Sequence, residues 1–285
     1  MNTLKITFLL LLMTLLFVAI GFALGGRTGV IIAFAFAVVM NFSSYWFSDK
    51  IVLKMYKARP VDETSHRRLY RIVRSASQKA MIPMPKVYIV PSKAPNAFAT
   101  GRNVGHAAVA ATEGLLEILD DNELEGVIGH ELAHIINKDM LIGTMAATLA
   151  SAIGLLASMA RWAMIFGGYS RSDERGGGNP IAMLIAMIVA PIAALLIQMG
   201  ISRAREYKAD AEGARITNQY HGLASALQKI HKAPIRMNLD RRPETAHLFI
   251  ANPLSGKGIT SLFSTHPPVA KRIERLQKMA TRGYV

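Results

Sequence analysis

Apolar positions along this chain fall into two kinds of run: four that are long and free of charge, and others that are short and periodic. Residues 6–26 and 28–48 are each 21 residues without a charged side chain, parted only by Arg27 within Gly25-Gly26-Arg27-Thr28-Gly29. About 20 residues cross the hydrocarbon core as a helix, so the pair predicts a tight transmembrane hairpin. A third run covers residues 140–160. The fourth has its apolar core at 181–201, with Pro191 placed to kink it. A cleaved signal peptide would account for the first run alone, yet an equally long run follows at once and no small-x-small cleavage site separates them. Buried helices of a soluble protein are the other reading, and four uncharged runs of this length weigh against it.

The basic residues set a direction. Lys50, Lys54, Lys57, Arg59, Arg67, Arg68, Arg71 and Arg74 follow the second run against Asp49, Asp62 and Glu63, and Arg203, Arg205, Lys208 and Arg215 follow the fourth. The links at 25–29 and 167–179 are glycine-rich and nearly neutral. Positive charge accumulates on the cytoplasmic side, so both termini, the basic segments and His130–His134 are expected there, and the two glycine-rich links on the other side. The boundaries predicted are an N-terminal hairpin at 1–48, a first cytoplasmic part at 49–139, a second hairpin at 140–201 and a second cytoplasmic part at 202–285.

Between the hairpins the period changes. Residues 61–81 carry helical spacing, with Leu69, Ile72, Val73 and Ala76 opposite Arg67, Arg68, Arg71 and Arg74. Ile82-Pro83-Met84-Pro85 ends that helix. Residues 86–91, 97–100 and 107–112 predict short strands, the last two joined by a turn at Gly101-Arg102-Asn103. Asn122 with Glu125 three residues on predicts a capping box opening the next helix. No glycine-rich phosphate loop follows a strand, so no nucleotide is expected.

Composition narrows the chemistry. The chain has 285 residues, 51% apolar and 18% charged, with a mean hydropathy of +0.27. It has no cysteine, so any bound metal must be held by histidine and carboxylate, the ligand set of catalytic rather than structural sites. The formal charge of +14 sits beside membrane spans, where anionic lipid accounts for it, and not in a stripe suited to nucleic acid.

His130-Glu131-Leu132-Ala133-His134 is the chemical centre of the sequence. On a helix, residues i and i+4 share a face, so His130 and His134 can grip one zinc ion from the same side. Glu131 is placed one step round, where it can take a proton from the attacking water. Catalytic zinc needs a third protein ligand, and Glu206, five residues beyond the fourth run, supplies one. Asp210 shares its helix face and is expected to accept a hydrogen bond from the distal nitrogen of a zinc histidine, His130 first. His66, His106, His221, His231 and His247 lack ligand spacing. His266, in a loop stiffened by Pro267 and Pro268, is a candidate donor to the developing oxyanion, with Tyr207 a weaker one. Two packed histidines with a solvated glutamate is the bland alternative, as is a non-catalytic membrane scaffold with a structural zinc.

Taken together, Pro95 to Gly101, Gly129 to His134, Asn137 to Met140, Ser202 to Asp210, His247 to Gly256 and Phe263 to Pro268 resemble the bacterial HtpX family of membrane zinc metallopeptidases, relatives of the CAAX prenyl endopeptidase. The resemblance covers nearly the whole chain. It implies an α+β protein, an integral membrane chain with four transmembrane helices and a cytoplasmic zincin-like (gluzincin) peptidase domain. It implies one zinc ion held by His130, His134 and Glu206, with Glu131 as catalytic base. Asn96, Ala97, Phe98 and Ala99 would form the strand that pairs with an extended substrate. The substrates implied are misfolded or damaged membrane proteins and unfolded polypeptides, in the bacterial inner membrane. A prenyl-protein processing peptidase is the related alternative, for which four spans look too few.

Overall fold

The computed structural model describes residues 2–143, 145, 203–233, 250 and 267–282. The third and fourth predicted spans, apart from 140–143 and 145, and His266 lie outside the described residues.

Helix α1 (Asn2–Trp46) doubles back on itself. A straight helix would hold residues 10 and 41 about 46 Å apart at about 1.5 Å per residue. Instead the Asn41 side-chain amide donates to the Leu10 carbonyl at 3.1 Å and to the Thr14 hydroxyl at 2.9 Å. The reversal is at Gly26, whose φ of 54° is left-handed and suits a residue without a Cβ. Phe17 meets Phe36 edge to face across the two limbs, ring centroids 5.2 Å apart. The second limb, Gly26–Trp46, is 21 residues long and apolar enough to cross a membrane, and only 11% of its most apolar stretch is buried. Ile31, Ile32, Phe34, Val39 and Phe42 point outward, which is the pattern of a helix in lipid and not of a soluble core. The first limb, Ile6–Phe22, is a shorter apolar helix.

Helix α2 (Ser48–Met55) leads from the hairpin to a mixed four-stranded sheet of β1 (Arg59–Pro60), β2 (Lys86–Val90), β3 (Ala97–Gly101) and β4 (Ala107–Thr112). The strand order is β1-β2-β4-β3: β1 is antiparallel to β2, β2 parallel to β4, and β3 antiparallel to β4, with Ala99 opposite Val109. The period-2 alternation sorts the strands' side chains to two faces. Val52, Leu53 and Tyr56 pack beneath Val90, Phe98, Ala108 and Ala110 on one face. On the other, Val87, Ile89, Ala97, Ala99, Val109 and Ala111 meet the main core. Small alanines there let a helix approach the strands closely.

That core is closed by α3 (Arg67–Lys79), α4 (Glu113–Ile118), α5 (Asp121–Ile136), α6 (Arg203–Thr217), α7 (Tyr220–Lys232) and α8 (Val269–Arg282). α3 buries the predicted Leu69, Ile72, Val73 and Ala76 but starts later than its periodicity suggests. The Asp62 carboxylate accepts the backbone N–H groups of Thr64 and Ser65, and that turn holds the preceding residues out of the helix. The capping box of α5 also differs from expectation. It is formed by Asp120 and Glu123, not by Asn122 and Glu125: the Asp120 carboxylate accepts from Glu123 N–H at 2.9 Å, and the Glu123 carboxylate from Asp120 N–H at 2.8 Å. Beyond α5, Lys138 takes a φ of 57°. A turn therefore separates this helix from the helical residues that begin at Met140.

Candidate metal centre

The site is made where α5 and α6 cross. At the crossing both helices carry glycine. A Cβ on Gly213 would lie 2.5 Å from the His130 backbone nitrogen, and one on Gly129 would lie 2.6 Å from the Gly213 carbonyl oxygen. The two backbones therefore touch beside the first histidine, and α6 can lay Glu206 and Asp210 against it. α5 is buried along most of its length, including His130 and Glu131. Of its polar residues, Asp121 and Asn122 stay at the exposed start of the helix, while His130 and Glu131 are withdrawn from solvent.

His130 Nε2 and His134 Nε2 are 3.2 Å apart, their rings crossed at 88°. Glu206 Oε1 is 3.5 Å from His134 Nε2, and its Oε2 is 3.8 Å from His130 Nε2. Three donors each about 2.0–2.1 Å from one tetrahedral ion stand about 3.3 Å apart. The three separations are of that size, and the donor set of two imidazoles and a carboxylate suits a metal of catalytic type. Such a cluster can hold a metal ion.

A carboxylate stands behind each ring: Asp210 Oδ1 lies 3.0 Å from His130 Nδ1, and Asp139 Oδ2 lies 3.7 Å from His134 Nδ1. A proton on Nδ1, facing the carboxylate, would leave each Nε2 lone pair for the cluster. Arg272 is wholly buried and grips Asp210 with two parallel bonds, Nε to Oδ2 at 2.8 Å and Nη2 to Oδ1 at 2.7 Å. Burial alone would raise the Asp210 pKa. Arg272 and His130 outweigh it and hold the carboxyl down at about 2. For His134, burial disfavours the charged ring, but Asp139, Glu206 and Glu131 overcome it and raise the pKa to about 8. Glu131 is pushed above the usual carboxylate range, chiefly by burial.

Glu131 Oε2 accepts the Ala99 N–H at 2.7 Å. The candidate base is thereby moored to β3, which ends the strand order. Of the four residues expected to line the cleft, Ala97 and Ala99 face the α5 side of the sheet, while Phe98 packs away from it, its ring 5.1 Å from that of Tyr56. Asn96 is buried, and its amide oxygen accepts the Ile250 N–H at 3.0 Å. His106 closes a short 3-10 turn before β4, where it is exposed with its Nδ1 2.9 Å from Asn103 Oδ1. Asp139 and Arg272 were missed from the sequence. Asp139 lies past a helix end, and Arg272 stands between Lys271 and Ile273 on an amphipathic helix, where a solvated charge is the natural reading.

Residues 63–280 match Peptidase family M48. A protease HtpX homolog of Desulforapulum autotrophicum is 54% identical over 282 residues, covering 99% of this chain and 91% of its own length. One from Pyrococcus furiosus is 55% identical over 273 residues, covering 95% of this chain and 94% of its own. Among solved structures, that of S. mikatae Ste24p is 19% identical with a TM-score of 0.48. That alignment covers 94% of this chain, which spans 62% of the solved one. Family match and near-full-length identity agree with the geometry of the cluster: the chain belongs to Peptidase family M48, among the HtpX proteases, and is a metalloprotease.

Proposed function

We propose that this chain is an integral-membrane zinc endopeptidase that cleaves misfolded or damaged membrane proteins, with water attacking the peptide bond and Glu131 as general base. One observation carries the reading: two imidazole nitrogens and the Glu206 carboxylate converge within 4.8 Å, next to a buried glutamate moored to the terminal strand of the sheet. His130, His134 and Glu206 would hold one zinc ion. Zinc supplies Lewis-acid chemistry when bound, lowering the pKa of the attacking water and polarising the scissile carbonyl. Glu131 takes the water's proton and returns it to the leaving amine. Its burial, which favours the protonated form, suits a group that must hold a proton between those two transfers. Asp210 and Asp139 keep the histidine rings in one tautomer. His266 is the proposed donor to the oxyanion.

An extended substrate would add its backbone alongside β3 at Ala97 and Ala99, with Asn96 and Phe98 anchoring that strand from behind. Main-chain pairing gives affinity with little demand on sequence, which suits substrates defined by their disorder. The bond from Ala99 to Glu131 puts the base beside the position where such a backbone would run. The same reading assigns four membrane spans, cytoplasmic termini and a cytoplasmic catalytic domain in the inner membrane. It is supported by the outward-facing apolar limb Gly26–Trp46 and by the basic residues that follow the spans.

The test is cleavage of an unfolded membrane protein by the full chain in detergent. A zinc chelator should stop turnover and added zinc should restore it. Glu131→Gln should keep its zinc and lose turnover by about 10²–10⁴-fold. Turnover retained in that variant would overturn the assignment of the base.

A further inference from the structure

We propose that Arg272 is a positioning residue for the metal centre, fixing both the carboxylate that orients His130 and the carboxylate that would ligate the metal. The inference rests on the metal reading above. α8 is a basic helix whose Lys271 and Arg275 neighbours suit a solvated face, yet the Arg272 side chain has no exposed surface. Withdrawing a guanidinium from water is costly unless its donors are all paired. Here the pairing is divided among three parts of the site. Nε and Nη2 clamp Asp210 at 2.8 and 2.7 Å, Nη1 donates to the Ile250 carbonyl at 2.6 Å, and Nη1 lies 3.7 Å from Glu206 Oε2.

A fold needing only packing at this point would do as well with apolar residues at both 272 and 210, since a buried ion pair replaced as a whole by apolar groups is often no loss. What an apolar side chain would not provide is direction. The two-point clamp sets the plane of the Asp210 carboxylate and turns Oδ1 toward His130 Nδ1. The charge beside Oε2 restrains the Glu206 carboxylate while Oε1 faces His134. The bond to Ile250 carries the linkage on, because the Ile250 N–H donates to Asn96 at the head of β3. One side chain thus ties the metal helices to the terminal strand. Lysine would supply charge at one point without the fork.

The test uses the full chain in detergent, stripped of metal, with Zn²⁺ and Co²⁺ as the probes. The variants are Arg272→Lys, Arg272→Met and the double variant Arg272→Met with Asp210→Asn. The double variant leaves no uncompensated buried charge and keeps an oxygen facing His130. Metal-free thermal unfolding reports the fold, and competition with a chromophoric chelator reports affinity. In the folded variants Zn²⁺ should bind about 10–100-fold more weakly, and the Co²⁺ visible bands should shift, with Arg272→Lys between wild type and Arg272→Met. A folded variant that binds Zn²⁺ within about threefold of wild type with unchanged Co²⁺ bands would overturn the proposal and leave Arg272 a brace. If the wild-type chain itself takes up no Zn²⁺, the metal reading fails together with the inference. Tight wild-type binding matched by the variants rejects the inference alone.

Discussion

At His134, a proposed ligand, a metal ion would compete with a proton. Burial opposes the charged ring, but Asp139, Glu206 and Glu131 together raise its pKa to about 8. At pH 7 the metal-free ring is then about nine-tenths protonated, and an ion entering the cluster must displace that proton. Calorimetric titration with Zn²⁺ in two buffers of different ionisation enthalpy should show close to one proton released at pH 7. Apparent affinity should climb until about pH 8 and then level off. No release at pH 7 would contradict the assignment. The same shift has a sign for stability: the folded pKa is raised from 6.5 to about 8. This contribution to the metal-free fold is therefore complete below about pH 6.5 and is lost as pH rises through 8. At this scale the sequence was informative wherever a contact follows helix periodicity. His130 with His134, and Glu206 with Asp210, are each four residues apart on one helix face. Asp139 and Arg272 were not legible, because their partners are set by how helices cross and end.

Two glycines govern the crossing of α5 and α6. A Cβ at Gly213 would meet the His130 backbone nitrogen at 2.5 Å, which is rigid and has nowhere to go. Gly213→Ala should therefore part the helices, destabilising the metal-free protein by about 1–3 kcal/mol and weakening metal binding, although no ligand is changed. Paired unfolding and zinc titrations on this variant check it; wild-type values in both would mean the crossing tolerates the spread. The α5 cap is a milder case. Asp120→Ala removes the acceptor for Glu123 N–H and should cost about 0.5–2 kcal/mol in thermal unfolding. Three of the four strands were legible; β1, two residues at Arg59–Pro60, was not, being too short to carry a pattern. The cap was placed two residues late, because Asn122 with Glu125 satisfies the same pattern as Asp120 with Glu123. Tertiary contacts distinguish them: the Glu123 carboxylate also receives Ser225 at 2.6 Å and Lys229 at 2.7 Å, while Glu125 is engaged by Lys79 and Gln219.

Across the whole molecule, the sheet sits directly on the end of the apolar hairpin. The Arg102 guanidinium, in the β3–β4 turn, stacks 4.5 Å from the Trp46 ring that ends α1. α2, two residues later, packs its Val52, Leu53 and Tyr56 beneath β4 and Phe98. The strand proposed to receive substrate is thus fastened to the end of a helix suited to the bilayer, and the metal site should lie near the membrane surface. The proposed orientation makes a prediction in a chain that has no cysteine of its own. An impermeant thiol reagent applied to whole cells should label Gly177→Cys and leave Ser92→Cys unlabelled. The reverse pattern would put catalysis on the other side.

The claim on which all of this depends is that His130, His134 and Glu206 hold one zinc ion. X-ray absorption at the zinc edge, on the full chain in detergent, tests it most directly. Each chain should hold one zinc with two imidazole nitrogens at about 2.0–2.1 Å, the remaining ligands being oxygen, and Glu206→Gln should lose that signature. A zinc environment without two imidazoles, or one unchanged in Glu206→Gln, would contradict it.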